Sequence, residues 1–386
     1  MLERALKKKG HKVFIVTVNP EKMTYKYEKN KIRIPGIPTG IYDYRLTGIY
    51  PIRAIKTIKS WNLDVIHTHT EFGIGTFARI IAKQLNIPLV HTYHTMYEDY
   101  VHYITKGYFN GTSKKIVEHL TKFYCDKTAK ELIVPTKKAY DLFKEKYKVD
   151  KNVHIIPTGI EIEKFYKENI NQEKLNEIKT NLNIKKEDFI ILYIGRLGEE
   201  KNVDFLIDNQ KHFTEKNKNI KLLIVGSGPD YEKYKEKTKK LNLEENIIFT
   251  GKVPYNEIQY YYNLGNVFVT ASTTETQGLT VIEAMSANLP VVCIDDESFR
   301  NTVVHELNGF LFKNETEYKH YIDKLIEDKN LLKKMGKQAK ISTDQYSSKY
   351  YAERVLDVYK KTIKENEIKK TFLGRTKDVI KKGLQD

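Results

Sequence analysis

Residues 273–287 read TTETQGLTVIEAMSA, with Glu275 and Glu283 separated by seven residues and Gly278 between them. The apolar run VFVTAS (267–272) before them predicts a strand, and VIEAMSA predicts a helix that begins between Gly278 and Thr280. Glu275 then lies on the connecting loop, and Glu283 lies more than a turn inside the helix. Eight helical residues span ~12 Å, which sets the scale of the separation. Between the two acids lies a helix start, with backbone N–H groups outside the helical ladder and the positive end of the dipole. Gly278 lets an incoming group approach the backbone. An acceptor at each edge and an anion site in the middle suit a ligand built as sugar, diphosphate and ribose. Glu283 would accept ribose hydroxyls and Glu275 those of a sugar.

Three further stretches place chemistry at strand ends. In YIGRLGEEKNVDFL (193–206) a strand ends at Gly195 and is followed by Arg196, Lys201 and a second helix start. Arg offers a planar fork to phosphate oxygens, and Lys offers a point charge. In LLIVGSGP, Gly226 and Gly228 permit a tight turn close to a ligand. In VHTYHTMYEDYVHYI (90–104), His94 follows an apolar run and precedes Tyr97, Tyr100 and Tyr103. His94 is a candidate donor to a sugar or to a leaving phosphate.

Short apolar runs alternating with helical patterns must hold these residues in place. VFIVTV, DVIHTH, PLVHTYH, ELIVPT and VHIIPTG fall in the first half, and FIILYIG, KLLIVGSG, NIIFTG, VFVTAS and PVVCID in the second. Such runs read as parallel strands buried on both faces, and the alternation predicts two doubly wound α/β domains. The 386 residues agree with two domains at ~150 residues each. The Glu-, Lys- and Asn-rich stretch 160–187 reads as a linker. Two cysteines far apart, Cys125 and Cys293, speak against a disulfide framework or a structural zinc site. No Asp-x-Asp occurs, so no metal-bridged diphosphate site is expected. No run of 18 apolar residues exists to form a spanning helix.

The net charge of +16 is uneven: residues 1–186 hold 34 Lys and Arg against 19 Asp and Glu, and residues 187–386 hold 32 against 31. A basic first half suggests a polyanionic partner, nucleic acid or anionic lipid, with general lysine richness as the plainer reading. The stretch 41–59 interleaves Tyr42, Tyr44, Leu46, Ile49, Ile52, Ile55 and Ile58 with Arg45, Arg53, Lys56 and Lys59. It reads either as an interfacial segment on a membrane or as an amphipathic helix packed on the sheet. No RNA- or DNA-binding signature accompanies the charge, so nucleic acid is not the expected partner.

Taken together, ETQGLTVIE, GRLGEEKNVDFL, HTHTEFGIG and HTYHTMYEDYVHYI resemble glycosyltransferase family four, and within it the bacterial 1,2-diacylglycerol 3-glucosyltransferases. The resemblance implies the GT-B fold: an acceptor- and membrane-facing Rossmann-like domain at 1–165, a nucleotide-sugar-binding one at 166–365, and a basic amphipathic tail at 366–386 that crosses back onto the first domain or touches lipid. It implies a UDP-sugar donor, UDP-glucose, with no bound cofactor. Arg196 and Lys201 would neutralise the diphosphate, with Gly195 and Gly226 at the same strand ends. Glu275 and His94 would act on the sugar, and Glu283 on the ribose. Thr276, Gln277, Gly278 and Leu279 would line the donor, and Val253 would lie near the base. Glu71, Tyr97, Arg45, Arg53, Lys56 and Lys59 would face the acceptor or the membrane. Transfer would retain the anomeric configuration, with the leaving phosphate taking the acceptor's proton. Location on the cytoplasmic face of the membrane follows from the same likeness.

Family members open with a strand and a glycine-bearing loop before the helix that LERALKKKGHKV matches. The sequence starts after both, so a chain beginning at Met1 is expected to be poorly stable and weakly active. Three alternatives stay open: a polysaccharide or other acceptor, an inactive nucleotide-sugar-binding module, and a basic nucleic-acid binder.

Overall fold

The structure is a computed structural model that describes all residues except 39–44, 49, 72, 95–114, 116–117 and 384–386. It divides into two compact units, one of residues 2–157 with 352–386 and one of residues 158–351.

In the first unit, β1 (Ile15–Val18), β2 (Lys26–Glu28) and β3 (Lys31–Ile34) form a small sheet in the order β1-β3-β2. β4 (Gly36–Pro38) and β5 (Arg45–Thr47) make an antiparallel ribbon. β6 (Ile66–Thr68), β7 (Leu89–Thr92), β8 (Glu131–Val134) and β9 (Asn152–Ile155) form a parallel sheet in sequence order. All five apolar runs of the first half are strands, but they are divided between two sheets, of which β1 and β6 are edges. Helices Ile52–Ser60 and Ile74–Leu85 pack Ala54, Ile58, Phe77 and Ile81 against Ile32 and Ile34 of β3. Val16 of β1 and Ile66 of β6 both border this cluster.

The second unit is one parallel sheet: β10 (Phe189–Ile194), β11 (Ile220–Val225), β12 (Ile247–Gly251), β13 (Val267–Thr270), β14 (Val291–Ile294) and β15 (Gly309–Phe312). Its spatial order is β12-β11-β10-β13-β14-β15, so the winding reverses between β10 and β13. The apolar runs are buried on both faces, with one core cluster on each side. This is the doubly wound arrangement expected from alternating strands and helices.

One expectation about the connecting segments is corrected. Residues 160–187 are folded: Ile162, Phe165, Ile170, Leu175 and Ile178 are buried in the second unit's core, the last two on helix Gln172–Asn181. Few apolar residues among many charges gave that stretch a linker's composition, but their spacing puts them on one inward face. The units divide between Pro157 and Thr158. The C-terminal segment is a single helix, Ser348–Gly383, with no break at 365. Its Ala352 and Leu356 pack on Ala5 and Leu6 of the first unit's opening helix, Leu2–Lys8.

Candidate active site

Ligands of doubly wound sheets bind beyond the carboxyl ends of the strands where the order reverses, which here means beyond β10 and β13. β10 leads into Gly195 and Arg196, a 3-10 turn at Glu199–Lys201 and helix Val203–Lys216. The buried Tyr193 shapes this turn, its hydroxyl donating to the Arg196 carbonyl at 3.0 Å. Arg196 Nη2 donates to Glu200 Oε1 at 2.6 Å, and the Glu200 side chain is only 3% exposed. Lys201 Nζ donates to Glu275 Oε1 at 2.5 Å. Each cation expected to meet a diphosphate therefore has a carboxylate partner within the protein, and a donor must compete for it.

β11 is followed by Gly226, at φ 139°. A Cβ there would lie 1.9 Å from the Gly195 carbonyl oxygen, and one on Gly228 would lie 2.1 Å from that of Leu197. Both glycines let the loops after β10 and β11 touch backbone to backbone. The close approach assigned to a ligand is thus taken by the chain itself.

β13 runs into the loop 273–278 and then helix Leu279–Ser286, capped by Gly278 at φ 68°. A Cβ on Gly278 would lie 2.5 Å from Phe299 Cε1, so this glycine serves the cap and the packing of Phe299. The Val281 N–H closes on the Gly278 carbonyl at 3.0 Å, and the N–H groups of Leu279 and Thr280 precede the helical ladder. Thr276 is half-buried on the loop and Leu279 is exposed. Gln277 does not turn its side chain to a ligand. Its Oε1 accepts from the Thr158 N–H at 2.8 Å and its Nε2 donates to the Thr158 carbonyl at 3.0 Å, both satisfied by backbone.

Glu283 is buried inside the helix. The fully buried Tyr262 donates to its Oε2 at 2.7 Å, and the exposed Tyr255 donates to its Oε1 at 3.3 Å. Burial raises its carboxyl pKa, which the two tyrosine bonds and nearby Lys164 partly offset. Val253, two residues before Tyr255, is partly buried against the same core. Glu200, Tyr255 and Tyr262 escaped the sequence reading. The first had only a weak signal, since charges four residues apart pair dependably on a helix and Arg196 and Glu200 lie in a loop and a 3-10 turn. The tyrosines had none, lying 28 and 21 residues from their acceptor.

In the first unit the ends of β6 and β7 gather four histidines. Parallel register sets His67 opposite Val90 and Thr68 opposite His91. On one face, His67 Nδ1 bonds the Tyr359 hydroxyl at 2.6 Å and His67 Nε2 bonds Thr92 Oγ1 at 2.7 Å. Beyond it, His69 Nδ1 and His94 Nε2 are 2.8 Å apart. Burial, then the neighbouring His91, lowers the His94 pKa to about 4, so the ring is neutral near pH 7. On the other face, buried His91 bonds the Glu71 carboxylate through Nε2 at 2.9 Å and the Thr68 carbonyl through Nδ1 at 3.1 Å. Glu71, assigned to acceptor or membrane, is 1% exposed, and its carboxylate is engaged inside the unit by the ring of His91. Glu71, His91 and Cys125 present ligand atoms within 4.8 Å of one another, close enough that they could hold a metal ion. Tyr97, Tyr100 and Tyr103 lie outside the described residues.

Within the basic stretch, Ile52–Ser60 is an amphipathic helix packed in the first unit. Ala54 and Ile58 are core residues, so they are not available to enter a bilayer. Arg53, Lys56 and Lys59 line the exposed face. Arg45 Nη1 donates to the Gly36 carbonyl across the β4–β5 ribbon at 3.1 Å. Leu46 and Ile52 stay 62% and 71% exposed, with Ile37, the cross-strand neighbour of Leu46, 59% exposed. Tyr42, Tyr44 and Ile49 lie outside the described residues, among which no helix is long and apolar enough to cross a membrane.

Residues 1–164 match the model of Glycosyltransferase Family 4, and residues 175–342 match that of Glycosyl transferases group 1. The chain is 34% identical over 375 residues to the alpha-monoglucosyldiacylglycerol synthase of Acholeplasma laidlawii, covering 95% of this chain and 93% of that one. It is 35% identical over 315 residues to the synthase of the same name from Streptococcus pneumoniae, covering 81% and 70%. The crystal structure of Anabaena HepE in complex with UDP-glucose superposes with a TM-score of 0.65 at 18% identity, over 80% of this chain and 81% of that one. The reversal point with its paired cations and acids and the sequence match over nearly the whole chain agree: this chain belongs to glycosyltransferase family four and is a hexosyltransferase with the GT-B fold.

Proposed function

We propose that the chain moves glucose from UDP-glucose to the hydroxyl of 1,2-diacylglycerol with retention of anomeric configuration, in membrane glycolipid synthesis. The observation that carries the donor half of this reading is the Lys201–Glu275 pair at the point where the second sheet reverses. One residue is suited to a phosphate and the other to a sugar hydroxyl, and they hold each other in place. The acceptor half rests on the two diacylglycerol-directed relatives.

In this reading Arg196 and Lys201 exchange Glu200 and Glu275 for diphosphate oxygens. The first-turn amides of helix Leu279–Ser286 add an anion site. Glu275 holds the sugar, Glu283 the ribose, and Val253 lies near the base. The bond from C1 to the phosphate oxygen breaks and the acceptor oxygen bonds C1 from the same side. The acceptor's proton passes to the departing diphosphate. Stabilising that leaving group is the main electrostatic task. The exposed Arg53, Lys56 and Lys59 hold the enzyme on the anionic cytoplasmic face of the membrane.

The test is incubation of the chain with UDP-[14C]glucose and vesicles of diacylglycerol with anionic phospholipid. Label in the organic phase, in an α-glucoside by NMR, is the expected result. Donor binding without lipid labelling, or labelling only of water-soluble glycan, would overturn the reading.

A further inference from the structure

We infer that Gln277 is a positioning residue for the donor loop: its side-chain amide ties residues 273–278 to the backbone of Thr158 and keeps Glu275 and the helix start in place while Lys201 changes partners. The inference rests on the reading above that Lys201 and Glu275 meet the donor, and every residue it uses lies within the unit 158–351.

Thr158 sets the direction of both hydrogen bonds, because a backbone N–H only donates and a carbonyl only accepts. Gln277 Oε1 accepts from the N–H at 2.8 Å and Gln277 Nε2 donates to the carbonyl at 3.0 Å, which fixes the orientation of the amide. The side chain thus pairs with Thr158 as a neighbouring peptide group would in a β-ladder. Gln277 is 6% exposed, so water has little access to compete for these bonds. They act two residues after Glu275 and one before Gly278, the cap of helix Leu279–Ser286.

Two side-chain contacts of this loop differ in kind. Lys201 Nζ donates to Glu275 Oε1 at 2.5 Å, an ion pair that an arriving diphosphate disrupts by drawing the lysine to itself. The Gln277 amide and the Thr158 peptide are both uncharged and neither titrates near neutral pH, so the same anion leaves them joined. As Lys201 turns to the phosphates, Glu275 is released for the sugar, and the amide bonds keep the loop from loosening at that moment. Without them the loop would regain conformational freedom in the empty protein and lose it again on binding. That ordering cost would be charged to donor affinity.

The experiment compares Gln277→Met, Gln277→Glu and Lys201→Ala with the wild-type chain. Titration calorimetry gives the Kd for UDP-glucose, and hydrogen exchange of the peptide spanning 273–278 reads the order of the loop. Gln277→Met keeps the length of the side chain and removes both bonds. It should bind about tenfold more weakly, equivalent to ~1.4 kcal/mol, and its loop should exchange faster without donor and slow again at saturating UDP-glucose. Gln277→Glu keeps an acceptor for the Thr158 N–H but sets a carboxylate oxygen against the Thr158 carbonyl. It should bind weakly at about pH 8 and regain affinity relative to wild type toward about pH 5, where a protonated carboxyl donates to that carbonyl. A role in packing alone would not give that pH dependence. If Lys201→Ala loses donor binding while Gln277→Met binds as the wild type does, this inference fails and the reading of the donor site survives. A Gln277→Glu to wild-type affinity ratio that stays flat with pH would also overturn it. If Lys201→Ala binds UDP-glucose as tightly as the wild type, the reading of the donor site fails and takes this one with it.

Discussion

The hydroxyl of Tyr262 and the carboxylate of Glu283 make a buried 2.7 Å hydrogen bond that can be weighed directly. Glu283→Ala leaves a fully buried phenol without this acceptor, and Tyr262→Phe leaves a buried carboxylate with only the longer bond from Tyr255. A hydrogen bond to a charged group contributes about 1.5–3 kcal/mol, and stranding one partner costs more than removing both. The double variant should therefore be less destabilised than the sum of the singles by about 1.5–3 kcal/mol. At about 2–4 °C per kcal/mol for a unit of this size, the non-additivity amounts to roughly 3–12 °C in Tm. Scanning calorimetry of the four proteins at pH 7 gives the cycle. A coupling below about 0.5 kcal/mol would be indistinguishable from independent sites and would refute the bond's role. UDP-glucose affinity, measured by titration calorimetry on the same proteins, should fall about tenfold or more for Glu283→Ala, the loss of one charge-assisted bond to the ribose.

Two further outcomes follow from the same geometry. Because burial raises the Glu283 pKa in the folded state, its contribution to stability is present below the unfolded value and fades as pH rises through the folded one. Glu283→Gln keeps an acceptor for Tyr262 and lacks that titration. Its Tm should gain on the wild type as pH goes from about 4 to about 7, and a gap that stays flat or shrinks in melts across that range would count against the assignment. Replacing Arg53, Lys56 and Lys59 together by Ala should weaken partitioning onto anionic vesicles by about 100-fold, at ~1 kcal/mol each, with Tm almost unmoved. A loss below about threefold in a flotation assay would remove this helix from the membrane reading.

What was legible in the sequence was what local pattern determines. The buried strands β10, β11, β13 and β14 are continuous apolar runs, and a run such as FIILYI has no other comfortable state. The loop position of Glu275 and the helical position of Glu283 followed from the same pattern. Strands β2 to β5 were not seen, being three or four residues long and largely exposed at β2 and β4. β15, GFLF, begins with a glycine and is short, so it offered little to periodicity. The site's acids and bases were visible, but not their partners. Whether a lysine meets a phosphate or a glutamate depends on which loops a sheet brings together, as with Lys201 and Glu275, 74 residues apart. Gln277 shows the same limit, since nothing local says that its amide is used up on Thr158.

The closing helix bears on how the protein is made. Tyr359, which clamps His67, and Ala352 and Leu356, which cover Ala5 and Leu6, leave the ribosome after residues 158–351. Residues 2–157 therefore wait, while residues 158–351 are made, without the side chains that cover Ala5 and Leu6 and hold His67. Residues 158–351 can close their sheet meanwhile, since every strand of it comes from within that span. Residues 158–351 thus become a finished structure first, and residues 2–157 mature only once the helix after them has emerged.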